Sequence, residues 1–159
     1  MANVDTCCFT GHKKLPANKI QNILSTLDEA IENLISQGVT NFISGGAVGF
    51  DLMAAALILA KKETGRTIRL IFVLPCKNQE LLWDNKQKQL YRNLLNEADE
   101  IIYITENYNR FCIEQRNRYM VEHSNHCICA LLYEKSGTYQ TVRIAKKNGL
   151  KIINTIKQA

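Results

Sequence analysis

Four short segments of the chain carry the residue types that bind phosphate groups. They are rich in glycines, hydroxyl side chains and basic residues, and they comprise residues 10–14, 44–51, 116–118 and 134–138. Glycine lets the backbone approach an anion closely, and free N–H groups at a helix start attract negative charge. Arginine adds a planar fork of donors that matches a phosphate. Together the segments predict a site for a phosphate-bearing ligand.

The residues predicted to bind that ligand come from all four segments. They are Gly11, His12, Gly45, Gly46, Gly49, Asp51, Arg116, Asn117, Arg118, Ser136, Gly137 and Thr138. In this hypothesis the glycines and hydroxyls line the phosphates, Arg116 pairs with their charge, and Asp51 or Asn117 contacts a ribose or base. Each feature alone also has an ordinary structural explanation. A Gly-Gly pair often only turns the chain, an aspartate complements a helix dipole, and helical arginines are usually solvated.

The hydrophobic pattern predicts strands and helices that alternate along the chain. Six apolar runs predict strands at residues 4–9, 41–44, 68–74, 100–104, 127–133 and 150–156. Amphipathic runs between them predict five helices, at residues 20–35, 50–63, 79–98, 111–124 and 138–148. In the third helix the spacing places Leu82, Leu90, Leu94 and Leu95 on the inward face. Unbroken apolar strands are typical of strands that are covered on both faces. The sequence therefore predicts one α/β domain over residues 1–159, Rossmann-like and doubly wound around a mostly parallel sheet.

That fold explains how distant segments form one site. Right-handed crossovers place every strand-to-helix loop at the carboxyl edge of the sheet, where ligands bind in this class of fold. All four polar segments follow a predicted strand, so we expect them to meet there. The chain contains neither G-x-G-x-x-G nor G-x-x-x-x-G-K-[ST], which argues against P-loop chemistry.

Composition and charge exclude several other classes. The 159 residues carry a net charge of +5, from 20 basic and 15 acidic side chains. No Lys/Arg block exceeds two residues, which argues against a dedicated nucleic-acid binder. No apolar run approaches the ~20 residues that cross a bilayer, and residues 1–5 do not resemble a secretion signal. We therefore expect a cytoplasmic protein with no membrane partner.

The six cysteines do not indicate a disulfide scaffold or a metal site. Cys7, Cys8, Cys127 and Cys129 lie within predicted strands, where free cysteine behaves as a small hydrophobic side chain. No pair has C-x-x-C spacing, so we expect no structural zinc and no other metal.

Three motifs resemble known families. Residues 44–51, SGGAVGFD, resemble the S-G-x-A-x-G-I-D segment of the DprA/Smf family, and Arg116-Asn117-Arg118 followed by residues 135–138, KSGT, resembles its R-N-R and K-S-G-[ST] segments. The opening CCFTGH is similar to the small YoqJ/YpsA-like families. On these motifs the chain is identified as a member of the SLOG superfamily, which also contains the LOG nucleotide hydrolases.

The resemblance implies a Rossmann-like fold that binds nucleotides or their derivatives, often as a homodimer or other homo-oligomer. It implies no required cofactor. The candidate ligands are ADP-ribose, NAD-related compounds, cyclic nucleotides and nucleoside monophosphates.

The sequence departs from both the LOG enzymes and the DprA proteins, and these departures decide the functional hypothesis. Arg116 and Met120 fit the R-K-x-x-M segment of LOG enzymes, but Thr141 stands at the position of their catalytic glutamate. Asp51 and Glu134 are the candidate replacement carboxylates. DprA proteins are longer and carry further domains. The leading hypothesis is thus a non-enzymatic sensor or sequestering protein for a nucleotide-derived ligand. The alternatives are phosphoribohydrolase-like cleavage of nucleoside monophosphates and weak DprA-like binding of single-stranded DNA.

Overall fold

The computed structural model describes residues 5–156, which alternate strictly between strand and helix. The six strands are β1 (Thr6–Gly11), β2 (Asn41–Ser44), β3 (Arg69–Leu74), β4 (Glu100–Tyr103), β5 (His126–Ala130) and β6 (Lys151–Asn154). The five α-helices are α1 (Ile20–Ser36), α2 (Phe50–Glu63), α3 (Asn85–Glu97), α4 (Cys112–Glu122) and α5 (Gly137–Lys147), and a 3₁₀ turn at Ala17–Lys19 precedes α1.

All six strands are parallel and form one sheet in the order β4-β3-β2-β1-β5-β6. The chain builds outward from β1 through β2, β3 and β4, then returns to the other side of β1 to add β5 and β6. The strand order therefore reverses between β1 and β5, whose carboxyl ends are in register through Gly11 and Ala130. The predicted doubly wound α/β fold is confirmed, and this reversal is the place where such sheets bind ligands.

Two apolar layers cover the sheet. One joins α1, α2 and α3 to the strands through side chains such as Phe9, Ile31 and Ile58. The other joins α4 and α5 to the opposite face through Met120 and Val142. The adjacent residues Cys7 and Cys8 belong to different layers because successive strand side chains alternate between faces. All six cysteines of the chain are buried free thiols.

The predicted helix at residues 79–98 begins six residues late, at Asn85. The Asp84 side chain accepts a hydrogen bond of 2.8 Å from the Gln87 N–H and caps the helix there. Residues 79–84 form turns instead. As a result Leu82, which we predicted to point inward, is 97% exposed. Leu90 is also partly exposed, whereas Leu94 is buried as expected.

The strand predictions also need correction at their ends and edges. β5 ends at Ala130 rather than residue 133, since the Leu131 and Leu132 N–H groups bond to the Asn154 and His12 side chains instead of a strand. Edge strand β4 exposes Ile101, so burial on both faces holds only for the central strands. Val4, predicted to begin β1, lies outside the described residues. Between residues 5 and 156 no helix is long and apolar enough to span a membrane.

Candidate ligand-binding groove

A groove lies along the carboxyl edge of the sheet, at the reversal between β1 and β5. Its central part, here called the polar compartment, is a cavity of about 460 Å³. Most of the predicted binding residues line it: Gly11, His12, Asp51, Arg116, Asn117, Ser136, Gly137 and Thr138. Gly45, Gly46, Gly49 and Arg118 do not. The topology thus brings together all four segments that the sequence singled out.

The amino terminus of α5 opens into the polar compartment with unused donors. Ser136 caps the helix, because its hydroxyl accepts from the Tyr139 N–H at 3.1 Å and donates to the Tyr133 carbonyl at 3.0 Å. The N–H groups of Gly137 and Thr138 and the Thr138 hydroxyl have no hydrogen-bond partner within residues 5–156. These are the groups that hold an anion at a helix start.

Exposed lysines add positive charge around the same opening. Lys13, Lys14 and Lys135 line the polar compartment, and none of them forms an ion pair with a carboxylate of the described residues. The compartment's one aspartate, Asp51, offsets only part of this charge. The local field therefore favours an anionic ligand.

The Arg116 guanidinium forms hydrogen bonds within the protein and also has one nitrogen at the groove. Its guanidinium is buried, and Nη1 donates to the Gly45 carbonyl while Nε donates to the Asn117 Oδ1 at 2.8 Å. Nη2 has no partner among the described residues and is not fully enclosed, so it remains available in the groove. Burial lowers the pKa of Arg116, and nearby Asp51 opposes that change.

Asp51 is a buried carboxylate with an unused oxygen. Its Oδ2 accepts from the Ala47 N–H at 3.3 Å, whereas Oδ1 is enclosed and has no partner in the described part of the chain. Burial raises the pKa of Asp51 to about 6, and the charges of Arg116 and Lys13 partly counteract burial. Because Oδ1 is enclosed by protein atoms, a ligand in the compartment does not reach it, and the missing partner adds to the cost of ionising this carboxylate.

His12 connects two of the loops. Its Nε2 accepts from the Leu132 N–H at 2.9 Å, and its ring stacks on Tyr133 with a centroid distance of 4.2 Å. Burial lowers the pKa of His12, which favours the neutral ring that this hydrogen bond requires. His12 thereby holds the end of β1 against the segment after β5.

The glycines of residues 44–51 lie behind the groove rather than in its wall. A Cβ on Gly49 would lie 2.3 Å from the Lys13 carbonyl oxygen, and its φ of +87° excludes most other residues. A Cβ on Gly45 would lie 2.7 Å from Arg116 Nη1, and one on Gly46 2.5 Å from Leu74 Cδ2. Gly49 is required because backbone atoms occupy the space, and Gly46 because its φ of +71° favours glycine, whereas the contact at Gly45 is with the end of a side chain.

The remaining predicted residues have other surroundings. Arg118 is exposed and pairs with Glu114 at 3.3 Å, in an adjoining basic groove of about 520 Å³ between α4 and α5. This groove shares Asn117 and Gly137 with the polar compartment. Glu134 is exposed and does not line the polar compartment. Thr141 does line it, but its hydroxyl donates to the Gly137 carbonyl at 3.0 Å. No group of three or more metal-ligating side chains suited to a metal ion occurs between residues 5 and 156.

Sequence reasoning missed the second half of the groove. A larger cavity of about 730 Å³, here called the apolar compartment, adjoins the polar one and shares Lys13, Ala47, Ile113 and Arg116 with it. Its outer wall comes from the loops after β3 and β4. The signal is the apolar run Leu81-Leu82-Trp83 near the start of the predicted helix, of which the spacing places only Leu82 on the inward face.

Comparison with known proteins assigns the family. Residues 7–155 match the YspA SLOG family (YpsA), and the chain belongs to that family. It is 33% identical over 133 residues to the SPbeta prophage-derived protein YoqJ of Bacillus subtilis, covering 76% of this chain and 78% of YoqJ. It is 23% identical over 140 residues to a UPF0398 protein of Staphylococcus epidermidis, covering 82% and 73% of the two chains. The predicted SLOG membership is confirmed.

Two solved structures share the fold. DNA processing protein A of Helicobacter pylori, for which a single-stranded DNA binding mode is described, superposes with a TM-score of 0.67 at 21% identity over 95% of this chain. DprA of Streptococcus pneumoniae gives a TM-score of 0.67 at 17% identity over 94% of this chain. This chain spans 64% and 49% of those two chains, respectively.

Proposed function

We propose that this protein binds a phosphate-bearing, nucleotide-derived small molecule in the polar compartment and acts as a sensor or sequestering protein. One observation carries the proposal. The open start of α5, with unused N–H groups at Gly137 and Thr138, faces a cavity lined by unpaired lysines and by Arg116. Such an arrangement stabilises a phosphate by hydrogen bonds and by charge together.

The surrounding residues suit the rest of a nucleotide. The free Thr138 hydroxyl and Arg116 Nη2 provide further donors to phosphate oxygens. Asp51 lines the same compartment, where a carboxylate suits a donor such as a ribose hydroxyl. The site thus offers donors for the anionic part of the ligand and an acceptor for the sugar. ADP-ribose, NAD-related compounds, cyclic nucleotides and nucleoside monophosphates all carry both groups.

Asp51 also supports a second candidate function, the hydrolysis of nucleoside monophosphates. Cleavage of an N-glycosidic bond needs a carboxylate that takes a proton from the attacking water or stabilises positive charge on the sugar. A buried aspartate whose pKa is about 6 is suited to that proton transfer. Binding without hydrolysis ranks first because Thr141 replaces the expected catalytic glutamate and its hydroxyl is bonded within the helix.

A thermal-shift panel tests the proposal. AMP, ADP-ribose, NAD and cyclic AMP are compared with adenosine, which lacks the phosphate. We expect at least one phosphate compound to raise the Tm where adenosine does not, because a ligand that binds only the folded state stabilises it. Lys135→Gln should reduce the shift. Lys86→Gln, a matched change at an exposed α3 residue outside the groove, should not.

Two further measurements on the same samples separate the alternatives. Chromatography of the AMP mixture detects free adenine, and its appearance in wild type but not in Asp51→Asn would establish hydrolysis. A single-stranded oligonucleotide tests the DprA-like role, and sub-micromolar binding at physiological salt would favour it. The absence of any thermal shift at millimolar concentrations would contradict ligand binding in the polar compartment.

A further inference from the structure

The apolar compartment differs in chemistry from the polar compartment beside it. Much of its wall is apolar or aromatic, and the larger side chains of this kind are Pro75, Leu81, Leu82, Trp83, Tyr108 and Ile113. Its volume of about 730 Å³ lies within the range of pockets that enclose a small organic ligand. Lys13, Arg116 and Lys77 also line it, and Lys77 pairs with Glu106 at 3.3 Å. The apolar part of the wall is suited to an uncharged, flat group.

The rim of this compartment exposes large apolar side chains. Leu82 is 97% exposed, Tyr108 68% and Leu81 57%. Apolar surface that is exposed to water costs free energy. Covering it with a ligand recovers roughly 25 cal/mol per Å². The three side chains come from two adjacent loops, after β3 and after β4, which the Lys77 N–H joins by donating to the Glu106 carbonyl at 3.2 Å.

Trp83 forms a fixed part of the wall. Its ring meets Tyr91 edge-on with a centroid distance of 4.9 Å, and the Tyr91 hydroxyl accepts from Gln79 Nε2 at 3.0 Å. Gln79 also donates to the Gly46 carbonyl at 3.5 Å, which ties the Trp83 loop to the glycine segment behind the groove. A fixed aromatic ring in a cavity wall can stack on the ring of a ligand with little loss of entropy.

The two compartments are continuous. Lys13, Ala47 and Arg116 line both, so positive charge marks the junction between a polar cavity and an aromatic one. A molecule whose phosphate lies near Arg116 has an apolar cavity directly beside it. The chemistry that fits both halves is a planar ring joined to a phosphate through a sugar.

We propose that the apolar compartment binds the nucleobase of the ligand, with its ring against Trp83 and under the rim formed by Leu82 and Tyr108. This inference rests on the proposed function, because it places the second half of the same nucleotide-derived ligand. It implies that the base contributes to affinity and that phosphate-sugar fragments bind more weakly.

Trp83 is the chain's single tryptophan and so provides a native probe. Intrinsic fluorescence is titrated with AMP, with ADP-ribose and with ribose 5-phosphate, which lacks the nucleobase, and each titration is paired with a thermal shift. We expect AMP and ADP-ribose to quench Trp83, and ribose 5-phosphate to bind without quenching. The difference between AMP and ADP-ribose shows whether the polar compartment also holds a second ribose.

Leu82→Ser tests the rim without disturbing the core, because Leu82 is almost fully exposed. We expect it to weaken binding of the nucleotides about five- to tenfold, the scale of a leucine side chain that a ligand covers only in part, and to leave binding of ribose 5-phosphate unaffected. Leu90→Ser, at a partly exposed α3 leucine outside both compartments, is the matched control and should change neither.

The outcomes separate this inference from the proposed function. Equal affinity for ribose 5-phosphate and AMP, with no quenching and no effect of Leu82→Ser, would place the base elsewhere and overturn the inference while phosphate binding stands. If no phosphate compound raised the Tm, both the proposed function and this inference would be overturned. Quenching by adenosine that equals quenching by AMP would show a ring site independent of the phosphate, which also contradicts the inference.

Discussion

Two glycine-bearing segments of this protein look alike in sequence and differ in structure. Residues 44–51 and residues 134–138 both follow a strand and lead into a helix. In the first, Gly49 leaves no room for a side chain because the Lys13 carbonyl oxygen would lie 2.3 Å from its Cβ. In the second, a Cβ on Gly137 would meet no heavy atom within 4 Å. One segment is closed by packing and the other is open to the groove.

The same contrast holds for the charges. The closed segment contributes Asp51 and receives the buried Arg116, so its charges lie inside the protein and influence its stability. The open segment contributes the exposed Lys135 and unused N–H groups, which are free to act on a ligand. The comparison indicates that residues 44–51 support the groove by packing, whereas residues 134–138 present free donors and charge inside it.

The sharpest test of the comparison is an alanine at each glycine. Gly49→Ala should lower the free energy of unfolding by more than about 3 kcal/mol, since a close contact adds to a strained backbone. Gly137→Ala should leave it unchanged or raise it by up to ~1 kcal/mol, because alanine favours a helix over glycine. Urea denaturation measures both. A loss for Gly137→Ala equal to that for Gly49→Ala would remove the distinction between the segments.

The buried Asp51 carboxylate predicts that the free energy of unfolding changes with pH by about 3 kcal/mol. The pKa of Asp51 is raised from its ordinary 3.8 to about 6, so the folded state holds the proton more tightly than the unfolded state. The wild type therefore loses stability as pH rises from about 4 to 6, by roughly 1.36 kcal/mol per pKa unit. Asp51→Asn does not titrate.

The stability of Asp51→Asn relative to the wild type should accordingly increase across that window. Denaturation of both proteins at pH 4, 5, 6 and 7 measures the difference, and any constant effect of the substitution cancels in the comparison. A difference that stays flat from pH 4 to 7 would show that Asp51 ionises like an exposed aspartate.

The smallest expected effect is the difference in stability between alanine variants of Arg116 and Arg118, which belong to the same motif. Arg116→Ala should lower the free energy of unfolding by about 2 kcal/mol, because the Gly45 carbonyl loses a charged, buried donor. Arg118→Ala removes only an exposed pair with Glu114 and should change stability by less than ~0.5 kcal/mol. Thermal and urea unfolding measure both variants. Equal stability of the two variants would mean that Arg116 does not support the closed segment.

The sequence by itself determined the class of fold and the edge at which the groove lies. Alternating apolar and amphipathic runs specify a parallel sheet, and a parallel sheet places all its strand-to-helix loops on one edge. The start of α5 was also predictable, because Ser136 is a common capping residue and Gly137 follows it directly. These features depend on local pattern and on chain direction, which a sequence contains.

Only the tertiary structure decided which residues line the groove. Gly49 and Gly137 are the same residue type in similar places, and what separates them is whether residues distant along the chain fill the adjacent space. Leu82 was assigned to a helix interior by its spacing, yet the cap at Asp84 moved the helix start and left it on the rim of a cavity. Packing between distant segments decides these outcomes. Steric exclusion depends on which atoms are close in three dimensions, whereas a sequence pattern describes only the order of residues along the chain.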